Sequence, residues 1–251
     1  MRAAIIDVDA GNSRLKWRLR GTSAVNVPDD LSMLASDWQS LELEVASVFV
    51  SSVASEGVNE LIVVASVEAF GRRPHFAAVR NGVNGLAVAY PEPANLGVDR
   101  WLSMLAARAV DASCAWLVFG AGTALTADVI SIDGCHRGGY IVPGVQVSLD
   151  SLASRTERIS VSSLQPEKNW HPGSSTLECV HNGISALYKS YVEAIYQQAL
   201  LSEPNLRTAW SGGALPFLKQ LGFHCGALYY ESSLVLDGLA EYSDSLDVGD
   251  T

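Results

Sequence analysis

Cysteine is sparse and scattered in this chain: Cys114, Cys135, Cys179 and Cys225 form no Cys-x-x-Cys pair, and the five histidines fall at no metal-ligand spacing. These absences argue against a zinc site and favour reduced thiols over a disulfide scaffold. Basic residues are in deficit, 17 Lys and Arg against 27 Asp and Glu, for a formal charge of −10. Nucleic acids and anionic membrane surfaces call for the opposite balance, so neither is an expected partner. No stretch reaches the roughly 20 apolar residues of a membrane span. The apolar run after Met1-Arg2 stops at Asp7, too short for the core of a signal peptide. A cytoplasmic protein is the expectation. Two nucleotide motifs are missing as well, Gly-x4-Gly-Lys-[Ser/Thr] and Gly-x-Gly-x-x-Gly, which disfavours P-loop and Rossmann readings.

What is present is enough apolar material for a large core. Of 251 residues, 48% are apolar and 18% charged, which suits two lobes of one folded chain. Periodicity sets out the elements. Ala3 to Val8 reads as a buried strand, Gly11-Asn12 as a turn, and Ser13 to Leu19 as a strand alternating Leu15, Trp17 and Leu19 with Arg14, Lys16 and Arg18. Helix is expected at Leu31 to Leu41 and Asn59 to Phe70, strand at Val45 to Val53 and Pro74 to Val79. A loop holding Pro91, Pro93 and Gly97 leads to Asp99-Arg100, with helix from Trp101 to Val110.

The second half repeats the opening: strand Ala115 to Phe119, turn Gly120-Ala121-Gly122-Thr123, strand Leu125 to Ser131. Ser175-Thr176-Leu177-Glu178 has capping-box spacing before a long amphipathic helix. Strand Arg207 to Ser211 runs into Gly212-Gly213, a short helix follows, and Gly222 lies at a C-cap. Ser243 to Thr251 reads as a polar, frayed tail. The lobes are expected at 1–112 and 113–251.

Three glycine-bearing turns follow apolar strands, at Gly11, Gly120 to Thr123 and Gly212. Glycine lets backbone N–H groups approach phosphate oxygens, and Ser13 and Thr123 add hydroxyls. Singly, each is an ordinary hairpin turn; three together, two in matching positions, point to a nucleotide site. Asp9 ends its strand where it could hold a magnesium-bound water, and Lys16 could reach a phosphate. Asp99-Arg100 admits two readings from position alone: a cap with a surface ion pair, or a proton acceptor beside an anion-binding cation.

The ordered set Asp9-Ala10-Gly11-Asn12-Ser13-Arg14-Leu15-Lys16, Tyr90-Pro91 with Gly97-Val98-Asp99-Arg100, and Gly122-Thr123-Ala124-x-Thr126-x-Asp128 resembles the motifs of type III pantothenate kinases. Gly138-Gly139-Tyr140-Ile141-Val142-Pro143-Gly144, Ser175-Thr176 and Ser211-Gly212-Gly213-Ala214 continue it, so that the likeness runs from residue 3 to about Leu239. The resemblance implies an α/β fold of two ribonuclease-H-like, actin-like lobes with mixed sheets flanked by helices, in a homodimer. It implies ATP-dependent phosphorylation of pantothenate, the first step of coenzyme A synthesis. Asp9, Ala10, Gly11, Asn12, Ser13, Arg14, Leu15, Lys16 and Thr123 would bind ATP with Mg2+. Tyr90, Gly97, Val98, Asp99, Arg100 and Thr176 would bind pantothenate, with Asp99 taking the hydroxyl proton. The family commonly carries Asp where this chain has Gly120, a carboxylate tied to a monovalent cation, K+ or NH4+. Dependence on that ion is therefore doubtful here. The rivals are a non-catalytic regulatory relative and an actin-like kinase for another small hydroxylated substrate.

Overall fold

The computed structural model describes residues 3–155, 164–168, 171–223, 225, 228–230 and 233–247. The chain opens with β1 (Ala4–Ala10), β2 (Leu15–Leu19), α1 (Leu34–Gln39), β3 (Val45–Ser52), α2 (Glu56–Phe70), β4 (His75–Phe76) and α3 (Val98–Val110). Next come β5 (Ala115–Ala121), β6 (Ala124–Ile130), β7 (His136–Pro143), α4 (Val145–Arg155) and α5 (Thr176–Leu200). The last are β8 (Leu206–Ser211), α6 (Leu215–Gln220), β9 (Leu228–Tyr230) and α7 (Leu234–Asp247).

Two compact units form, one from the chain up to Val110 plus the stretch from Ser233, the other from Asp111–Ser232. Among the described residues, the first holds a sheet in the order β2-β1-β3-β4, the second a sheet in the order β7-β6-β5-β8-β9. Each sheet sets an antiparallel hairpin (β1–β2, β5–β6) beside a parallel strand (β3, β8). The repeat of the two halves is thus a repeat of topology, and both sheets are mixed.

Strand alternation sorts the first sheet. Ile6, Val8 and Ala10 of β1, with Leu15 and Trp17 of β2 and Val48 and Val50 of β3, are buried in one apolar cluster with Trp38 and Ile62. Each such side chain contributes roughly 1.5–3 kcal/mol relative to exposure. Asp7 and Asp9 alternate onto the other face, where α3 and α7 pack. In the second unit Trp210 stacks on Phe119 at 3.9 Å and on Phe223 at 4.9 Å, a three-ring column at the centre of the core.

Several expectations change. Helix 31–41 splits into a 3-10 turn, Leu31–Met33, capped by Asp30 accepting from the Ser32 N–H at 2.9 Å, and the short α1. The strand expected at 74–79 shrinks to β4, two residues pairing with Phe49 and Val50. Helix α3 starts at Val98, so Asp99 lies in its first turn. Gly120 is a strand residue opposite Thr126, leaving Gly122-Thr123 as the turn. A Cβ at Gly120 would lie 2.8 Å from Thr126 Oγ1, and its absence lets the pair close. β7 and α4, unread in the sequence, complete the second unit. Ser243 to Asp247 is helical and the last four residues lie outside the described ones. Nor does α7 belong with residues 113–232: it packs on α3, where Gly238 is so close to the Leu102 carbonyl that a Cβ would lie 2.1 Å from it.

Candidate functional site

In the first unit the site grows from the carboxyl ends of β1 and β3. Asp9 pairs in register with Lys16 across the hairpin and with Ser51 on β3. The turn between the strands is closed by the Gly11 N–H donating to the Arg14 carbonyl at 3.0 Å. Asn12, Ser13 and Arg14 are exposed, whereas Ala10 and Leu15 are buried in the core. Ala10 and Leu15 therefore offer a ligand only their backbone. Burial pushes the Asp9 carboxyl up to about 6, with the Lys16 ammonium pulling it down and the Asp99 carboxylate raising it further. Lys16 and Asp99 thus both lie within electrostatic reach of Asp9.

Asp99 is held by its own helix start. Its Oδ1 accepts the Arg100 N–H at 2.9 Å, and its carbonyl accepts from Ser103 Oγ at 2.9 Å. The Gly97 carbonyl accepts the Trp101 N–H at 3.1 Å, closing the first turn of α3. At Gly97 a Cβ would meet Asp99 Oδ1 at 2.7 Å, so the carboxylate occupies space that only glycine leaves open. Arg100 is buried and donates from Nη1 to the Tyr90 hydroxyl at 3.2 Å, its guanidinium 6.0 Å from the ring centre. Val98 is buried, so it too offers only backbone.

In the second unit, the Gly122-Thr123 turn is packed by backbone from two sides. The Gly144 N–H donates to the Thr123 carbonyl at 2.8 Å, and the Ala214 N–H donates to the Ala121 carbonyl at 2.9 Å. A Cβ on Gly144 would lie 2.2 Å from the Gly122 carbonyl oxygen; one on Gly212, at φ +113°, would lie 2.3 Å from the Ala121 oxygen. Two of the three glycine turns, with the Gly144 segment, therefore come together here. Thr123 is exposed at the tip.

Thr176 is the first residue of α5. The Ser175 hydroxyl caps the helix by accepting the Glu178 N–H at 3.2 Å. Glu178 reaches back one residue further than the capping box expects, to the Ser174 N–H and hydroxyl, both at 2.7 Å. Ser174, Thr176, Cys179, Gly183 and Leu187 line a cavity of about 660 Å³, within the range of small-molecule sites.

A buried charge network escaped sequence reasoning. Asp7, fully buried, takes Arg20 through two hydrogen bonds of 3.2 and 2.5 Å, with Arg18 at 3.8 Å. Burial raises the Asp7 pKa while the two guanidiniums lower it. Arg18 also meets Asp237 at 2.6 Å, and Arg20 meets Ser243 at 2.5 Å. The available signal was the cross-strand pairing of Asp7 with two arginines, masked by the apparent polar face of β2. In the second unit the buried Asp128 lies 3.0 Å from His136 Nε2, a pair that the sequence left unremarked. Among the described residues no three His, Cys, Asp or Glu side chains gather as a metal site.

Comparison with known proteins bears on this geometry. Residues 5–198 match the family model of type III pantothenate kinases. A type III pantothenate kinase of Saccharophagus degradans is 38% identical over 199 residues, 75% of this chain and 76% of that protein. One from Cellvibrio japonicus is 32% identical over 253 residues, 96% of this chain and 97% of that protein. Among solved structures, a conserved Campylobacter jejuni protein assigned to the Baf family of transcriptional activators aligns over 97% of this chain and 99% of its own, with a TM-score of 0.60 at 18% identity. That last likeness speaks to the fold.

Proposed function

The chain belongs to the type III pantothenate kinase family, and from that premise we propose that its Asp99 is the base that takes the proton from the terminal hydroxyl of pantothenate as the hydroxyl attacks the γ-phosphate of ATP. The observation that carries the reading is the placement of one carboxylate at the start of α3 within electrostatic reach of Asp9, which faces Lys16 across the β1–β2 hairpin.

Phosphoryl transfer passes through a loose transition state, so positioning and charge neutralisation weigh more than proton removal. The Gly11 to Ser13 turn of the first unit and the Gly122-Thr123 turn of the second each present N–H and hydroxyl donors of the kind that binds phosphate. Lys16 offsets the charge of the ATP phosphates. Asp9, a hard oxygen donor at a strand end, would hold Mg2+ through water, and the ion would add to that neutralisation. Arg100, oriented by Tyr90, binds the pantothenate carboxylate or an amide oxygen, and Thr176 adds a hydroxyl. The Arg100 N–H fixes the rotamer of Asp99, a base of the kind that accelerates such steps by about 10²–10⁴-fold.

Position 120 does not fit a monovalent cation: it has no side-chain oxygen, and Thr126 Oγ1 fills the space beside it. Turnover should respond little when potassium is titrated into a buffer containing only a bulky organic cation. Strong saturable activation would overturn that. The reading includes a homodimer, which light scattering on the eluted protein tests against the 26.8 kDa of one chain. The central experiment is ADP release with and without pantothenate. Pantothenate-dependent release that falls by about 10² in D99N supports the assignment; D99N with normal turnover refutes it.

A further inference from the structure

Two adjacent residues of α7 touch two different carriers of the site. Asp237 Oδ1 meets Arg18 Nη2 at 2.6 Å, and Arg18 lies on β2 two residues beyond Lys16. Gly238 lies against the Leu102 carbonyl, and Leu102 is on α3 three residues beyond Asp99. The β1–β2 hairpin bearing Asp9 and Lys16 and the helix bearing Asp99 and Arg100 are therefore both referenced to one turn of α7.

The contact is built rather than incidental. Arg18 is almost buried; it donates from Nη1 to Ser233 Oγ at 3.3 Å, pairs with Asp237 at 2.6 Å and lies 3.8 Å from Asp7. A guanidinium has five donors in a rigid fork, so acceptors on two sides fix its plane and, through it, the strand. Asp237 sits in the first turn of α7, where its charge also suits the helix dipole.

We propose that Asp237 is a positioning residue: acting through Arg18, it sets the Asp9–Lys16 hairpin against Asp99 on α3. The inference rests on the reading of Asp99, Asp9 and Lys16 given above. A reacting geometry displaced by about 1 Å can lose as much as 10²-fold in rate, so a small relaxation of β2 is felt in turnover before it is felt in folding.

The test compares the full-length wild type with D237N, D237E and D99N in the ADP-release assay, with thermal melting of each. D237N keeps the size of the side chain but loses the charge that holds Arg18. It should lower kcat by about tenfold, leave both KM values within about twofold, and melt within a few degrees of wild type. D237E, whose carboxylate still reaches the guanidinium from a partly exposed position, should recover most of that turnover. A lower melting temperature with kcat per folded enzyme unchanged would reduce Asp237 to a structural role and overturn the proposal. So would a kcat loss that D237E fails to recover. D99N separates the two levels: if it stays active, the site reading fails. If D99N is inactive and D237N is normal, only the positioning role fails.

Discussion

Gly97 and Asp99 share one small volume. With 2.7 Å between a Cβ at 97 and Asp99 Oδ1, Gly97→Ala must rotate the carboxylate away from the Arg100 N–H. Gly97 shows no left-handed φ, so the backbone tolerates alanine and the injury falls on the Asp99 carboxylate alone. Turnover should drop by roughly 10²-fold with a nearly unchanged melting temperature; equal turnover in the two proteins would show that the carboxylate position is not critical. Asp9 gives a prediction with a sign. Its folded pKa is pushed up to about 6, above the unfolded value of about 3.9. Between those values the unfolded chain ionises first, so stability falls as pH rises from about 4 to about 6, and the penalty stays in full above that. Asp9→Asn removes it. The variant should match wild type near pH 4 and become more stable toward pH 7, by up to about 3 kcal/mol less some solvent screening, while losing affinity for ATP with magnesium. A stability difference that does not change with pH would contradict the burial of this carboxyl. On the proposed reading, Asp9 trades stability for chemistry.

At the scale of elements, the Gly122-Thr123 turn, proposed to bind phosphate, is only as good as the backbone behind it. Gly144→Ala would force a methyl to within 2.2 Å of the Gly122 carbonyl, where no flexible side chain can yield. The turn must move, and ATP affinity should weaken by about tenfold or more while α4 and β7 stay folded. Unaltered ATP binding by calorimetry would exclude the coupling. Elements of this kind were legible where local chemistry and tertiary environment agree. The β1–β2 hairpin, the Ser175 cap and the α5 helix survive, although Leu177 and Leu187 of the expected α5 stripe are exposed and the buried face runs through Val180, Ile184, Tyr188, Val192 and Tyr196. They were illegible where a distant partner decides. Arg18 looks like an outward residue of an alternating strand until Asp7 and Asp237 bury it. Gly120 looks like a turn residue until Thr126 pairs with it. The catalytic candidates were legible as an ordered set of motifs, but which of them offer side chains and which only backbone, as with Ala10, Leu15 and Val98, depends on the core that forms around them.

The whole molecule is two similarly built sheets, with the second unit inserted between α3 and α7 of the first. That insertion puts the cover of one sheet face at the far end of the folded sequence. Ending the chain at Ser232 would uncover Asp7, Arg18 and Arg20 together with the buried Trp101 and Leu102 of α3. Charges taken from partners and left against an apolar helix are strongly destabilising. Such a chain should lose its cooperative melting transition in calorimetry; a sharp transition at the wild-type temperature would show that α7 is dispensable.

The bond between Arg20 and Ser243 spans 223 residues of sequence. During synthesis the amino-terminal sheet leaves the ribosome with its polar face open, and it waits while the whole of the second unit is translated. At about 5–20 residues per second that interval is on the order of ten seconds. Throughout it, the two arginines and the aspartate that end up beneath α7 stay hydrated, beside the stretch of α3 around Trp101 and Leu102 that the same helix will cover. The arrival of that last helix closes a polar and an apolar surface at once.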